Sequence, residues 1–366
     1  MEMNRAPHCD LAIIGGGPGG TAAAISAART GARVTLFEAR EFPRHKVCGE
    51  FVSAESLDVL ANLLQDAPDA TAALRVAPVI DRARFFFGRR VIASTVAPSA
   101  LSISRYQMDA LLWRAAQSAG VESRSNCEVF AIEGEGPFTI RTSCGTYTSR
   151  ALVVAAGRWS QFTADRTFPP GPKWIGVKAH FREPDAERST DLYFFQNGYC
   201  GVQPVADNVV NACAMVRSDC ATSLEEVFAL HPALAARAAR WSAVTQPVST
   251  APLIYREPQP VRDNVIFVGD AAAFIDPFAG DGISIALRSG RLASQCLSRF
   301  LCNSVPLSEV VTAYQREYTR QFVPLISAAA RVRSLFSLPK IAKPAVFELL
   351  RLPGLIPYLI RKTRRS

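Results

Sequence analysis

Leu11-Ala12-Ile13-Ile14-Gly15-Gly16-Gly17-Pro18-Gly19-Gly20-Thr21-Ala22-Ala23-Ala24 decides how this chain folds. An apolar run meets glycine and passes straight into small residues, the pattern of a buried strand feeding a helix that lies very close to a sheet. Gly31 ends that helix, and Arg33-Val34-Thr35-Leu36-Phe37 reads as a second strand closing on Glu38. The whole is a βαβ unit. Gly15, Gly17 and Gly20 spell G-x-G-x-x-G, with Pro18 at the start of the helix. The glycines permit a tight turn and close backbone approach, so a pyrophosphate can rest on the amides and positive dipole of the helix N-terminus. Glu38, 18 residues beyond Gly20, is placed to accept from ribose hydroxyls. With strand, helix and acid all in register, the expectation is dinucleotide binding.

The rest of the chain extends this frame. A helical pattern follows residue 51 to about 64, residues 84–95 read as a hairpin around Gly88, and residues 105–119 have helical spacing ended by Gly120. Short strands run from 127 to 147, and Ala151-Leu152-Val153-Val154-Ala155 is another apolar strand. Residues 169–262 change texture to short strands broken by Pro and Gly, with one helical stretch at 223–241. The α/β character returns at Asn264-Val265-Ile266-Phe267-Val268, and a long helix begins near Asp281. The expected domains are therefore a discontinuous nucleotide-binding part (1–80, 98–168, 263–332), an inserted β part (81–97, 169–262) and a tail (333–366).

Composition narrows the function. Of 366 residues, 49% are hydrophobic and 20% charged, ordinary globular usage that supports a large core. The formal charge of +9 is uneven: residues 335–366 hold seven basic side chains and one acid. The body carries no dense Lys/Arg run with interleaved aromatics, so nucleic acid is excluded as a partner. The tail sets Phe347, Leu349, Leu350, Leu352, Leu355, Ile356, Leu359 and Ile360 among those cations. That pattern suits either peripheral contact with an anionic membrane or a docked amphipathic segment. Nine cysteines without a C-x-x-C pair argue against a disulfide framework and against a zinc site. A cytoplasmic location is expected, with the tail at the inner face of the membrane as the peripheral variant.

Val268-Gly269-Asp270-Ala271-Ala272-Ala273-Phe274-Ile275-Asp276-Pro277-Phe278-Ala279-Gly280-Asp281-Gly282-Ile283 resembles the second fingerprint of the para-hydroxybenzoate hydroxylase superfamily of FAD enzymes. Phe42-Pro43-Arg44-His45-Lys46-Val47-Cys48-Gly49-Glu50, Arg105 and the run to Ser289-Gly290 look most like its geranylgeranyl reductase branch. The resemblance implies an α/β fold: a Rossmann-like FAD-binding domain, an inserted, mainly antiparallel β substrate domain and a C-terminal helical tail. It implies FAD as cofactor, with Ala39, Arg40, Lys46, Cys48, Gly49, Arg105, Val129, Gly157, Gly269, Asp270, Pro277, Gly280, Gly282 and Ile283 on the flavin nucleotide beside the glycine turn and Glu38.

Cys48 follows Arg44, His45 and Lys46, a setting that suits it to thiolate chemistry or proton donation and makes it the catalytic candidate. The alternative is a small residue buried at a tight turn. Where the prenyl reductases carry Y-x-W-x-F-P, this chain has Tyr199-Cys200-Gly201-Val202-Gln203-Pro204. Tyr199, Gly201 and Pro204 are the substrate-side candidates. The His and Asn usual in the hydroxylases are replaced by Ala273 and Ser284, and the W-x-W-x-I-P of flavin halogenases has no counterpart among four isolated tryptophans. No second G-x-G-x-x-G occurs, so NADPH or NADH, if the electron donor, visits from solvent. Three functions follow: hydride transfer to a lipophilic small molecule of isoprenoid or polyketide-like class, flavin monooxygenation, or a flavin-bearing accessory protein that serves a partner.

Overall fold

The computed structural model describes residues 8–158, 160–162, 171–250 and 252–336. Two sheets organise them. The first has eight strands, and its parallel core runs Val265–Phe267, Gly145–Val154, His8–Ile14, Val34–Phe37, Glu122–Arg124. Such strands are buried on both faces, and His8–Ile14 and Val34–Phe37 are almost wholly covered as their apolar runs predict. The hairpin Val129–Glu133 with Phe138–Thr142 joins this sheet antiparallel to Gly145–Val154.

The helix Pro18–Ala28 lies against this sheet with hardly an exposed face, which explains its run of glycine and alanine. Gly15 has φ +106°, and a Cβ on Gly20 would sit 1.8 Å from the Gly15 carbonyl oxygen, so both positions admit glycine alone. The helix Gly282–Leu301 packs on Pro18–Ala28, bringing the two ends of the nucleotide unit together. Helices Ala54–Leu64 and Arg105–Ser118 complete the layer.

The second sheet has nine strands, antiparallel apart from the pair Ser189–Phe195 with Val79–Phe87. Its centre is Trp174–Arg182, Val209–Arg217, Gly198–Ala206. The hairpin expected at 84–95 is longer, Val79–Phe87 with Arg90–Ser102. This sheet also takes the short strand Phe51–Val52 from the nucleotide-binding stretch. The expected helix 223–241 is two helices, Leu224–Ala229 and Pro232–Ala238. Pro232 has no amide to donate back and holds His231 extended, which ends the first helix.

Of the tail 333–366, residues 333–336 end the helix Leu307–Phe336, and residues 337–366 lie outside the described residues. No helix of the described residues is long and apolar enough to cross a membrane.

Candidate active site

A cavity of about 720 Å³ runs from the glycine turn, past the 44–50 segment, to the face of the second sheet. Both fingerprints reach it. Gly17 and Pro18 meet it from the first helix, and Gly280, Gly282 and Ile283 from the N-terminus of the helix Gly282–Leu301. Two helix N-termini therefore open on one space, each with a positive dipole end suited to anionic groups.

Behind the turn, Glu38 ties the unit together. Its Oε2 accepts the Gly16 amide at 3.0 Å, its Oε1 accepts that of Arg40 at 3.0 Å, and Arg44 pairs with it at 2.8 Å. Arg105 begins its helix beside Gly17, and a Cβ on that glycine would lie 3.9 Å from Nη2. Its guanidinium makes two 2.7 Å bonds to the buried Asp109 one turn on, which fixes its direction. Lys46 also lines the cavity, and burial, with Arg105 and Arg44 nearby, lowers its pKa to about 8.

The segment Cys48-Gly49-Glu50 is gripped from the second sheet. Glu50 sits in the left-handed region at φ 62° with its side chain fully buried. Its carboxylate accepts from the Arg105 amide at 2.7 Å and pairs with the Lys178 ammonium and with His180 Nε2, the latter at 2.8 Å. Burial alone would raise Glu50, but the His180 bond and the Lys178 charge outweigh it and hold the carboxyl below its usual range. Asn211 Nδ2 donates to the carbonyls of both Cys48 and Gly49 at 3.0 Å, and Gln203 Nε2 donates to Ser102 at 2.6 Å. His180, Asn211 and Gln203 are directly opposite one another on three adjacent strands. One polar row across the sheet thus clamps the turn that faces the cavity.

Cys48 corrects the thiolate expectation. Burial pushes its thiol up, and the Arg105 charge beside it does not offset that. The basic neighbours read in the sequence point elsewhere: Arg44 to Glu38, and His45 onto the Tyr106 ring at 4.7 Å. At neutral pH Cys48 keeps its proton.

Of the other candidates, Arg40, Cys48, Gly49, Arg105, Gly157, Gly269, Asp270 and Pro277 border the cavity with Tyr199 and Gly201. Gly15, Gly20, Glu38 and Ala39 do not border it. Val129 does not border it; this residue is packed in the core at the start of its hairpin, its carbonyl taken by Gln161. Pro204 does not either. Side chains alternate along a strand, so 199, 201 and 203 share the cavity face while 204 points to the other. Sequence reasoning missed Lys178 and His180, although a lysine and a histidine two apart within the apolar strand Trp174–Arg182 are the mark of a paired, buried polar face.

The far end of the cavity is apolar: Phe85, Phe87, Leu192, Tyr199, Met215 and Phe278 form its wall. Among the described residues no group of three or more His, Cys, Asp or Glu is arranged to hold a metal ion.

Comparison with known proteins agrees with this geometry. The chain is 26% identical over 79% of its length to conditioned medium factor receptor 1 of Dictyostelium discoideum, spanning 63% of that protein. It is 25% identical over 91% of its length to menaquinone reductase of Mycolicibacterium smegmatis, spanning 86% of it. The flavin-dependent brominase Bmp2 superimposes with a TM-score of 0.80 at 22% identity, over 97% of this chain and 93% of that one, a likeness of fold. Residues 10–49 and 43–295 match two families that share one description. The glycine turn, the acid that ties it and the second helix N-terminus fit an FAD, and the chain belongs to the FAD dependent oxidoreductase family.

Proposed function

We propose that the chain is an FAD-dependent reductase that saturates an unsaturated or enol-bearing bond of a lipophilic small molecule. One observation carries the reading: an aromatic, apolar wall and a thiol that keeps its proton border the same cavity. FAD, when bound, supplies hydride chemistry. The wall from Phe85 to Phe278 holds substrate by burial, at about 25 cal/mol per Å² of apolar surface, and excludes water. Glu50, held anionic by its three donors, has no proton to give. Cys48, two residues away and protonated, serves as the donor to the substrate carbon. Neighbouring groups pushed to opposite protonation states are how acid and base roles are divided. Gly17, Arg40, Lys46 and Arg105 would hold the anionic part of the cofactor.

NADPH or NADH as electron donor belongs to this proposal, as does peripheral membrane contact through residues 333–366, which would suit a lipophilic substrate. The relative named menaquinone reductase supports it.

The test is anaerobic. Protein loaded with FAD is given NADPH and a short-chain menaquinone or an unsaturated isoprenoid lipid, and the product gains two hydrogens without oxygen. A strict oxygen requirement with labelled oxygen in the product would replace this reading with monooxygenation, and turnover only with an added protein would favour the accessory role.

A further inference from the structure

Cys127 and Cys144 face each other across the root of the hairpin Val129–Glu133 with Phe138–Thr142. The register pairs Val129 with Thr142, and the Ser143 amide donates to the Glu128 carbonyl at 2.8 Å, which sets Cys127 opposite Cys144. The Cys127 amide turns the other way and donates to the Glu38 carbonyl at 2.9 Å. Cys127 lies just before the strand Val129–Glu133 and Cys144 in the tight turn between Thr142 and Gly145, so the two flank the same backbone contact and come close together. Both residues converge on one hydroxyl: the Cys127 thiol donates to Thr142 Oγ1 at 3.3 Å, and the Cys144 amide donates to it at 3.0 Å. The Cys144 thiol lies 3.9 Å from the carbonyl oxygen of Asn126, the residue before Cys127. One is buried and the other exposed to solvent.

We propose that Cys144 and Cys127 form a peroxide-sensitive dithiol that closes reversibly to a disulfide. Hydrogen peroxide, a product of reduced flavins reacting with oxygen, oxidises the exposed Cys144 thiol to a sulfenic acid and leaves as water. The Cys127 thiol then attacks that sulfur, forming the S–S bond and releasing a second water. Two thiols lose two electrons and two protons, and the peroxide is reduced to two waters. A dithiol reductant returns both thiols by exchange. The buried partner, Cys127, is the resolving residue. Because the Cys127 amide holds the end of the strand that carries Glu38, the bond would staple the hairpin to the acid behind the glycine turn.

Trypsin separates the two cysteines, Cys127 into residues 125–141 and Cys144 into 142–150. After treatment of the full chain with excess hydrogen peroxide, alkylation and digestion, these peptides are expected joined, two hydrogens lighter than their sum. Dithiothreitol should separate them. In Cys144→Ser, Cys127 should be recovered fully alkylated after unfolding. Recovery of both cysteines as alkylated thiols after peroxide overturns the proposal, as does Cys144 carried to sulfinic acid while Cys127 remains a thiol. Neither readout depends on FAD turnover.

Discussion

Gly290 meets Gly19 backbone to backbone: a Cβ built on Gly290 would lie 2.1 Å from the Gly19 carbonyl oxygen. The helices of the two fingerprints cross at that point, which ties residues far apart in the chain into one nucleotide cradle. Gly290→Val should force them apart at a cost of about 1–3 kcal/mol or more. A fall in Tm of about 1–4 °C or more and weaker FAD retention are expected by thermal shift. An unchanged melting curve would show that the crossing tolerates a side chain.

The Glu50–Lys178 pair predicts a larger effect from a conservative change. Lys178→Met leaves a buried carboxylate with one partner fewer, and loss of one member of such a pair costs about 3–5 kcal/mol. Urea denaturation should show a lower midpoint. The double variant Glu50→Gln with Lys178→Met should recover part of the loss, because it removes the stranded charge. Equal midpoints for wild type and Lys178→Met would refute the pairing.

Lys46 gives FAD affinity a pH dependence. With its pKa lowered to about 8, Lys46 is charged below that value and neutral above it. A bound pyrophosphate favours the charged form and raises that pKa, so binding takes up a proton at higher pH. Affinity should be level below about pH 8 and fall towards tenfold per unit above it, until the raised value is passed. Titration by flavin fluorescence quenching at several pH values reads this slope. Lys46→Arg should flatten it, and a slope that persists in that variant assigns the effect to another group.

The protonated Cys48 predicts slow chemistry with electrophiles. Iodoacetamide should label Cys48 far more slowly than the exposed Cys144 at neutral pH, as mass spectrometry of the peptides would show. Cys48→Ala should lower turnover by roughly 10²–10⁴ if it donates the proton, with FAD affinity little changed. Wild-type turnover in that variant would remove Cys48 from the mechanism.

The nucleotide half was legible because its demands fall on single residues. Gly15, Gly20 and Glu38 stand where only a positive φ, an absent Cβ or an acid at a strand end will serve, and those needs show in one dimension. The polar clamp was not legible. His180, Asn211 and Gln203 become a row only through the register of three strands, which no local pattern reports. Pro204 was misplaced for a related reason, a parity error of one residue along its strand. The thiolate expected of Cys48 failed because neighbours in sequence were taken as neighbours in space, whereas Arg44 and His45 turn away to Glu38 and Tyr106. The break at Pro232 was visible in the sequence and outweighed by the apolar periodicity around it.

The row of His180, Asn211 and Gln203 also limits how such a protein can be recombined. Strands 174–217 look like an exchangeable cassette, yet they grip Cys48, Gly49, Glu50 and Ser102, which arrive from a different part of the chain. A chimaera that imports a foreign substrate sheet without the matching 48–50 turn would strand a buried acid and two carbonyls. Divergence towards new substrates is therefore freer at the aromatic wall than along this seam.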